Sequence, residues 1–259
     1  MDEEESTKND EIQTHDSTFY FIKNPQEQNP GFLIRETGYR PKTLDELAEG
    51  DASRTHFTVW AASVILARWV ARDLAQGSAI LELGAGCGLA GIAAFRCCKP
   101  TRVLLTDLEI KDHLTYNIRA AKKKVAKASK KTPPSSVSAL ALNWLDAKTF
   151  PEDWISQTDV LIGSDLVYDS DLVKPLVDTC ARLARPHTGL FYYVTACTDR
   201  AGMDAFLLEM KAYFVLESKE APPEEFLVNP LGEDKQDLFD LHLSELRDVE
   251  HMMYRFRRF

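Results

Sequence analysis

Three acids and a tyrosine stand at or near the ends of apolar runs, where a sheet would present them for chemistry. Glu82 lies in Ile80-Leu81-Glu82-Leu83-Gly84-Ala85-Gly86-Cys87-Gly88-Leu89-Ala90-Gly91. Asp107 closes Val103-Leu104-Leu105-Thr106-Asp107, and Asp165 and Tyr168 close a third run that begins at Thr158. An apolar run holding an acid, then close glycines, then small residues reads as strand, tight loop and helix. The glycines allow positive φ and close approach of the backbone to a ligand. The helix start offers free N–H groups and a positive dipole end. A carboxylate closing the next strand can accept the hydroxyls of a ribose. Asp165 with Tyr168 could hold a nucleophile and take up its proton.

The glycines alone leave the ligand open. Gly86-Cys87-Gly88-Leu89-Ala90-Gly91 fits the G-x-G-x-x-G dinucleotide fingerprint. Glu82-x-Gly84-x-Gly86-x-Gly88 fits the version used for a nucleotide methyl donor, so NAD and S-adenosylmethionine both remain. The polar cluster Ser164-Asp165-Leu166-Val167-Tyr168 is not something a dehydrogenase needs.

In order along the chain stand Val59-Trp60-Ala61-Ala62-Ser63, the Glu82 glycine loop, Leu105-Thr106-Asp107, Asn143-Trp144 and Ser164-Asp165-Leu166-Val167-Tyr168. With these segments the chain resembles the seven-β-strand, class I S-adenosylmethionine-dependent methyltransferases. More narrowly it resembles methyltransferase family 16, which contains many protein-lysine methyltransferases and carries an Asp/Glu-x-x-Tyr motif. The resemblance covers residues 55 to 259 and implies S-adenosyl-L-methionine as cofactor and S-adenosyl-L-homocysteine as product. It implies that Glu82 supports the loop or meets the methionine end of the donor, with Gly84, Gly86 and Gly88 forming the cradle. Asp107 would take the ribose with Leu108 beside it, and Asn143 and Trp144 would flank the adenine. Trp60 and Ser164 would also lie against the donor, Ser164 standing where the family often has alanine. Asp165 and Tyr168 are the implied catalytic pair. The implied activity is N-methylation of a lysine side chain on a protein. A nicotinamide-like small amine is the alternative acceptor, and a non-catalytic donor-binding module is the other. A nucleic-acid methyltransferase would call for Asn/Asp-Pro-Pro-Tyr at the fourth strand end, which is missing.

Composition narrows the partners. A net charge of −9 argues against general affinity for nucleic acid or an anionic membrane. No apolar run approaches the ~18 residues of a membrane span. The start, Met1-Asp2-Glu3-Glu4-Glu5, is the opposite of a basic targeting peptide. Five cysteines, odd in number and without a Cys-x-x-Cys pair, suggest free thiols with no metal site. A cytosolic or nuclear monomer is the expectation.

The elements that must position these residues alternate as strand and helix. Residues 1–17 are polar and acidic and are expected to be disordered. Residues 18–54 form an extension whose runs Phe19–Ile22 and Phe32–Glu36 predict a hairpin. Residues 55–259 form the methyltransferase-like domain. A nearly all-apolar helix is expected from Thr58 to Leu74. Strands follow at 79–83, 102–106, 138–143, 159–163, 189–194, 213–217 and 252–256. Helices are expected after Gly88, through Leu114 and Ile118, at 172–184 and at 203–212. The connection to the last strand needs no helix on this reading, and the lysine run 122–131 reads as a solvated, partly helical loop. This predicts an α/β, Rossmann-like fold: seven mostly parallel strands, helices on both faces and an antiparallel last strand, inserted as the resemblance implies.

Overall fold

The computed structural model describes residues 18–19, 32–35, 58–128, 136–198, 202–232 and 236–259. The acidic stretch 1–17, most of the extension and the end of the lysine run lie outside the described residues.

Alternation along the strands divides the interior into two cores. In β3 (Ala79–Leu83), Ile80 joins one cluster while Ala79, Leu81 and Leu83 join the other. The same two-residue period sorts Val103 and Leu105 from Leu104 in β4 (Arg102–Asp107). It sorts Val160 and Ile162 from Leu161 in β6 (Val160–Ser164). Strands buried on both faces read as continuous apolar runs, as parallel sheets covered by helices do.

The first core is closed by α1 (Ala61–Asp73), α2 (Leu89–Cys97) and α3 (Asp112–Ala128). Val64 and Ile65 of α1, Ile92 of α2 and Leu114 and Ile118 of α3 lie in it. The second is closed by α4 (Val173–Leu183) and α5 (Met203–Met210), through Leu176, Val177, Phe206 and Met210. Nine residues of the thirteen-residue α1 are buried, as its all-round apolar character requires.

The seven-stranded sheet has the order β5-β4-β3-β6-β7-β9-β8. Here β5 is Ser136–Ala141, β7 Leu190–Ala196, β8 Phe214–Glu220 and β9 His251–Arg258. The pairs from β5 through β7 are parallel. β9 runs antiparallel to both β7 and β8 and lies between them. Two further short strands, β1 (Thr18–Phe19) and β2 (Phe32–Leu33), pair antiparallel with each other.

Two expectations are corrected and one is refined. The strand expected at 138–143 runs from Ser136 to Ala141, so Asn143 falls beyond it. Only Val137 is fully buried there, so this edge strand gives a weak apolar signal. Secondly, the connection between β8 and β9 does contain helices: α6 (Gln236–His242) and α7 (Glu245–Asp248). They are too short for a helical period to show. Phe239, Leu243 and Leu246 nonetheless bury them in the first core. Arg68 of α1 holds the start of this connection, donating from Nη1 to the carbonyls of Phe226 and Val228 at 2.6 and 2.8 Å. Lastly, the lysines at 122–124 and 127 belong to α3 itself.

Candidate active site

Strand order reverses at β3, whose neighbours β4 and β6 follow it in sequence on opposite sides. Connections from β3 leave to one side and those serving β6 to the other, which opens a crevice at the carboxyl ends of the strands. The sequence placed its chemistry there. Leu83 pairs with Gly163, so the glycine loop and Ser164 start on opposite walls of that crevice.

Gly84, Gly86 and Gly88 all have positive φ, at 59°, 51° and 78°. Gly88 is the N-cap of α2, and a Cβ on it would stand 2.5 Å from Leu114 Cδ1 and 2.6 Å from Leu105 Cδ2. A residue with a side chain would therefore be strained at this φ and would force Leu105 and Leu114 to shift. Gly91 serves close approach instead: its Cβ would meet Glu82 Oε2 at 2.5 Å.

That contact explains Glu82. It points from β3 into the α1–α2 face, where its Oε2 accepts the Gly91 N–H at 3.0 Å. Burial pushes its carboxyl up to about 8, against the pull of the Gly91 N–H and helped by the nearby Asp107 charge. Glu82 thus fastens the first turn of α2 to the sheet. The Thr106 hydroxyl donates to the Glu82 carbonyl at 2.6 Å and so ties β4 to the same point.

Asp107 is buried at the end of β4. Its Oδ2 accepts the Gly86 N–H at 2.8 Å and its Oδ1 the Leu108 N–H at 2.7 Å. The carboxylate sets the pitch of the glycine loop as well as facing the crevice. Leu108, next in line, is 57% exposed.

The other wall is made by the turn after β6. Asp165 has φ of 52°, in the left-handed region that a non-glycine residue seldom takes. The turn is held from β7. Asp165 N–H donates to the Val194 carbonyl at 2.9 Å, and Asp165 Oδ1 accepts from Thr195 Oγ1 and from the Ala196 N–H at 3.0 and 3.1 Å. Val167 N–H reaches the hydroxyl of the fully buried Tyr193 at 3.2 Å. Leu166 is buried against the glycine loop, with Cδ2 2.5 Å from where a Gly84 Cβ would stand. Tyr168 projects outward, 58% exposed. Its hydroxyl is pushed up by partial burial and by the charges of Asp107 and Asp169. A buried packing role for Tyr168 is excluded by that exposure.

The remaining candidates sit at the same end. Trp60 precedes α1, which enters at the carboxyl side of the sheet, and is 38% exposed. Asn143 turns back on its own loop, Oδ1 accepting the Leu145 N–H at 2.9 Å. Trp144 packs, partly buried, on the core cluster containing Leu142 and Leu166. Asn143 therefore shapes the loop through its side chain, and only its neighbour presents a ring.

Sequence reasoning missed Tyr193, Thr195 and Asn117. Tyr193 read as strand filling and Thr195 fell just past the strand expected at 189–194; the β6–β7 register that brings them to the turn at Asp165–Val167 is not written locally. The signal available was the in-line polar residue Thr195 closing an apolar run.

The comparisons with known proteins give the family and the fold. The family model described as lysine methyltransferase matches residues 42–212. The chain belongs to that family. Among curated relatives, the EEF1A lysine methyltransferase 3 of Xenopus tropicalis is 31% identical over 162 residues, 61% of this chain and 66% of that protein. The human protein-lysine N-methyltransferase EEF2KMT is 29% identical over 50% of this chain and 41% of its own length. Mouse methyltransferase-like protein 22 is 33% identical over 48% and 34%. The matched segments thus leave a third or more of each relative uncovered. A solved geranyl diphosphate C-methyltransferase from Streptomyces coelicolor shares the fold with a TM-score of 0.54 at 13% identity, over 85% of this chain and 86% of that one. The cyclase SpnF shares it at 0.51 and 12% identity, over 75% and 80%, so the fold by itself does not name the reaction.

Proposed function

We propose that this chain transfers a methyl group from S-adenosyl-L-methionine to a lysine side chain of a protein, releasing S-adenosyl-L-homocysteine. The observation that carries the reading is the crevice itself. A three-glycine cradle braced by Glu82 and Asp107 faces an Asp165–Tyr168 turn across the switch point of a lysine-methyltransferase family domain.

The donor supplies an activated methyl for in-line displacement, so the protein's task is to position and desolvate. Asp107 would accept the ribose hydroxyls and Leu108 cover the adenine side, with Trp144 on its other flank. Gly84, Gly86, Gly88 and Ser164 would line the methionine end, with Glu82 behind them and Trp60 at the rim. The acceptor amine must be neutral to attack, and an exposed lysine has a pKa near ~10.4. Asp165, its carboxylate oriented by Thr195 and Ala196, would hold that amine and receive its proton directly or through water. Tyr168 would present its hydroxyl to the same nitrogen.

An extended acceptor fits better than a small enclosed amine, because Trp60, Leu108 and Tyr168 leave the rim exposed. Among the described residues no helix is long and apolar enough to cross a membrane. Four of the five cysteines are buried free thiols, which suits a reducing compartment such as cytosol or nucleus, and a monomer suffices for the site.

Titration calorimetry with S-adenosylhomocysteine, with NAD as control, tests the donor, and methyl transfer from labelled donor to protein fractions tests the acceptor. Micromolar S-adenosylhomocysteine binding, no NAD binding and label on lysine are expected. Binding of NAD alone would overturn the reading.

A further inference from the structure

Asn117 lies in α3, is buried, and spends its side-chain amide on two separate pieces of backbone. Its Oδ1 accepts the Arg35 N–H at 2.8 Å and its Nδ2 donates to the Arg35 carbonyl at 2.9 Å. The second Nδ2 hydrogen goes to the carbonyl of Cys87, between Gly86 and Gly88, also at 2.9 Å. The amide therefore pairs with Arg35 as a neighbouring strand would, and with its last donor grips the donor loop. Around it, Ile34 is fully buried in the same core as Cys87, Leu89 and Leu114. The Arg35 guanidinium stands over the ring of Tyr116 at 5.0 Å from its centre.

We propose that Asn117 is a positioning residue that couples the segment after β2 to the methyl-donor loop, so that filling the donor site fixes Ile34–Arg35. This rests on the donor site assigned above. The three bonds satisfy the buried amide, and because they reach two separate stretches of backbone they also tie Arg35 to the Cys87 loop. A fully satisfied buried amide instead locks both partners to one geometry. Coupling of this kind is reciprocal, so anything that grips the N-terminal segment tightens the donor site by the same factor. An acceptor protein that touches residues 32–35 would then raise the affinity for the donor it is about to use.

The test uses the full chain, S-adenosylhomocysteine as probe, and three variants: Asn117→Leu, Arg35→Pro and the double. Arg35→Pro removes the N–H that Oδ1 accepts, together with the guanidinium over Tyr116, and leaves the loop residues themselves unchanged. Hydrogen exchange of the wild type should show the Ile34 and Arg35 amides slowed when the probe binds. Each single variant should weaken the probe about fivefold to tenfold. The double should bind no more weakly than the poorer single, because both break one linkage. Unchanged exchange at Ile34 and Arg35 in probe-bound wild type, or losses that multiply in the double, overturn the coupling while leaving the donor site standing. Failure of the wild type to bind the probe overturns the donor site with it. Should Asn117→Leu not fold, the wild-type exchange and Arg35→Pro affinity decide the matter alone.

Discussion

The two walls of the crevice are built differently. On the donor wall, the supporting contacts come from three places: Gly91 nine residues after Glu82, Asp107 on β4, 21 residues from Gly86, and Asn117 on α3, 30 residues from Cys87. On the acceptor wall, Asp165 is held by Thr195 and Ala196, 30 and 31 residues away on another strand. One wall is braced within its own strand–loop–helix unit and by the neighbouring β4 and α3; the other is braced from β7. On the proposed assignment, changes in β7 would alter the acceptor wall while leaving the donor site in place.

Substituting one wall at a time should break this contrast or sharpen it. Asp165→Ala is expected to lower methyl transfer by about 10²–10⁴ while S-adenosylhomocysteine affinity holds. Paired rate and calorimetric measurements check it, and full activity would remove Asp165 from the site. Gly88→Ala should strike the other wall, destabilising the chain by about 2–4 kcal/mol through positive-φ strain and overpacking against Leu105 and Leu114. Urea unfolding reads that loss, and a wild-type midpoint would mean that α2 has room to move. Asp107→Ala should weaken S-adenosylhomocysteine binding about 10–100-fold, since charge-assisted hydrogen bonds are lost. It should also loosen the Gly86 N–H, so exchange of that amide should quicken.

Tyr193→Phe is a finer probe. It leaves the Val167 N–H without its acceptor at a cost of about 1–2 kcal/mol. Transfer should slow with donor affinity unchanged; a fall in affinity instead would show that the walls are not separable. A further effect concerns pH. The Glu82 carboxyl is pushed up to about 8 in the fold, far above its unfolded value. The folded state then binds more protons, so stability is fullest below the unfolded value and falls as pH rises through 8. Glu82→Gln should flatten the melting temperature between about pH 5 and 8. An unchanged slope would assign the pH dependence elsewhere.

The same contrast explains what could be read in the chain. Glu82, the glycines and Asp107 were legible because strand, loop and helix follow one another and each residue type has one local use. Asp165 was legible as a strand end, but not its brace, because the register of β6 against β7 is a property of the sheet. Asn117 was hidden for the same reason. Its partners Arg35 and Cys87 lie 82 and 30 residues away, and a lone polar residue in an amphipathic helix carries no mark of them. In α6 and α7 the difficulty was length: seven and four residues do not complete a pattern.

The place of β9 between β7 and β8 has a consequence for assembly. β8 is made first and has only β9 to pair with, so through the making of the thirty residues between them it has nothing to join. Vectorial synthesis therefore yields a five-stranded half-sheet with β7 as an open edge, carrying Phe191 and Tyr193. Such an edge invites pairing with other chains. Aggregation during production should follow mutations in β9 more closely than equally destabilising ones in β4. Co-expression of a peptide spanning 250–259 should rescue a chain that lacks it.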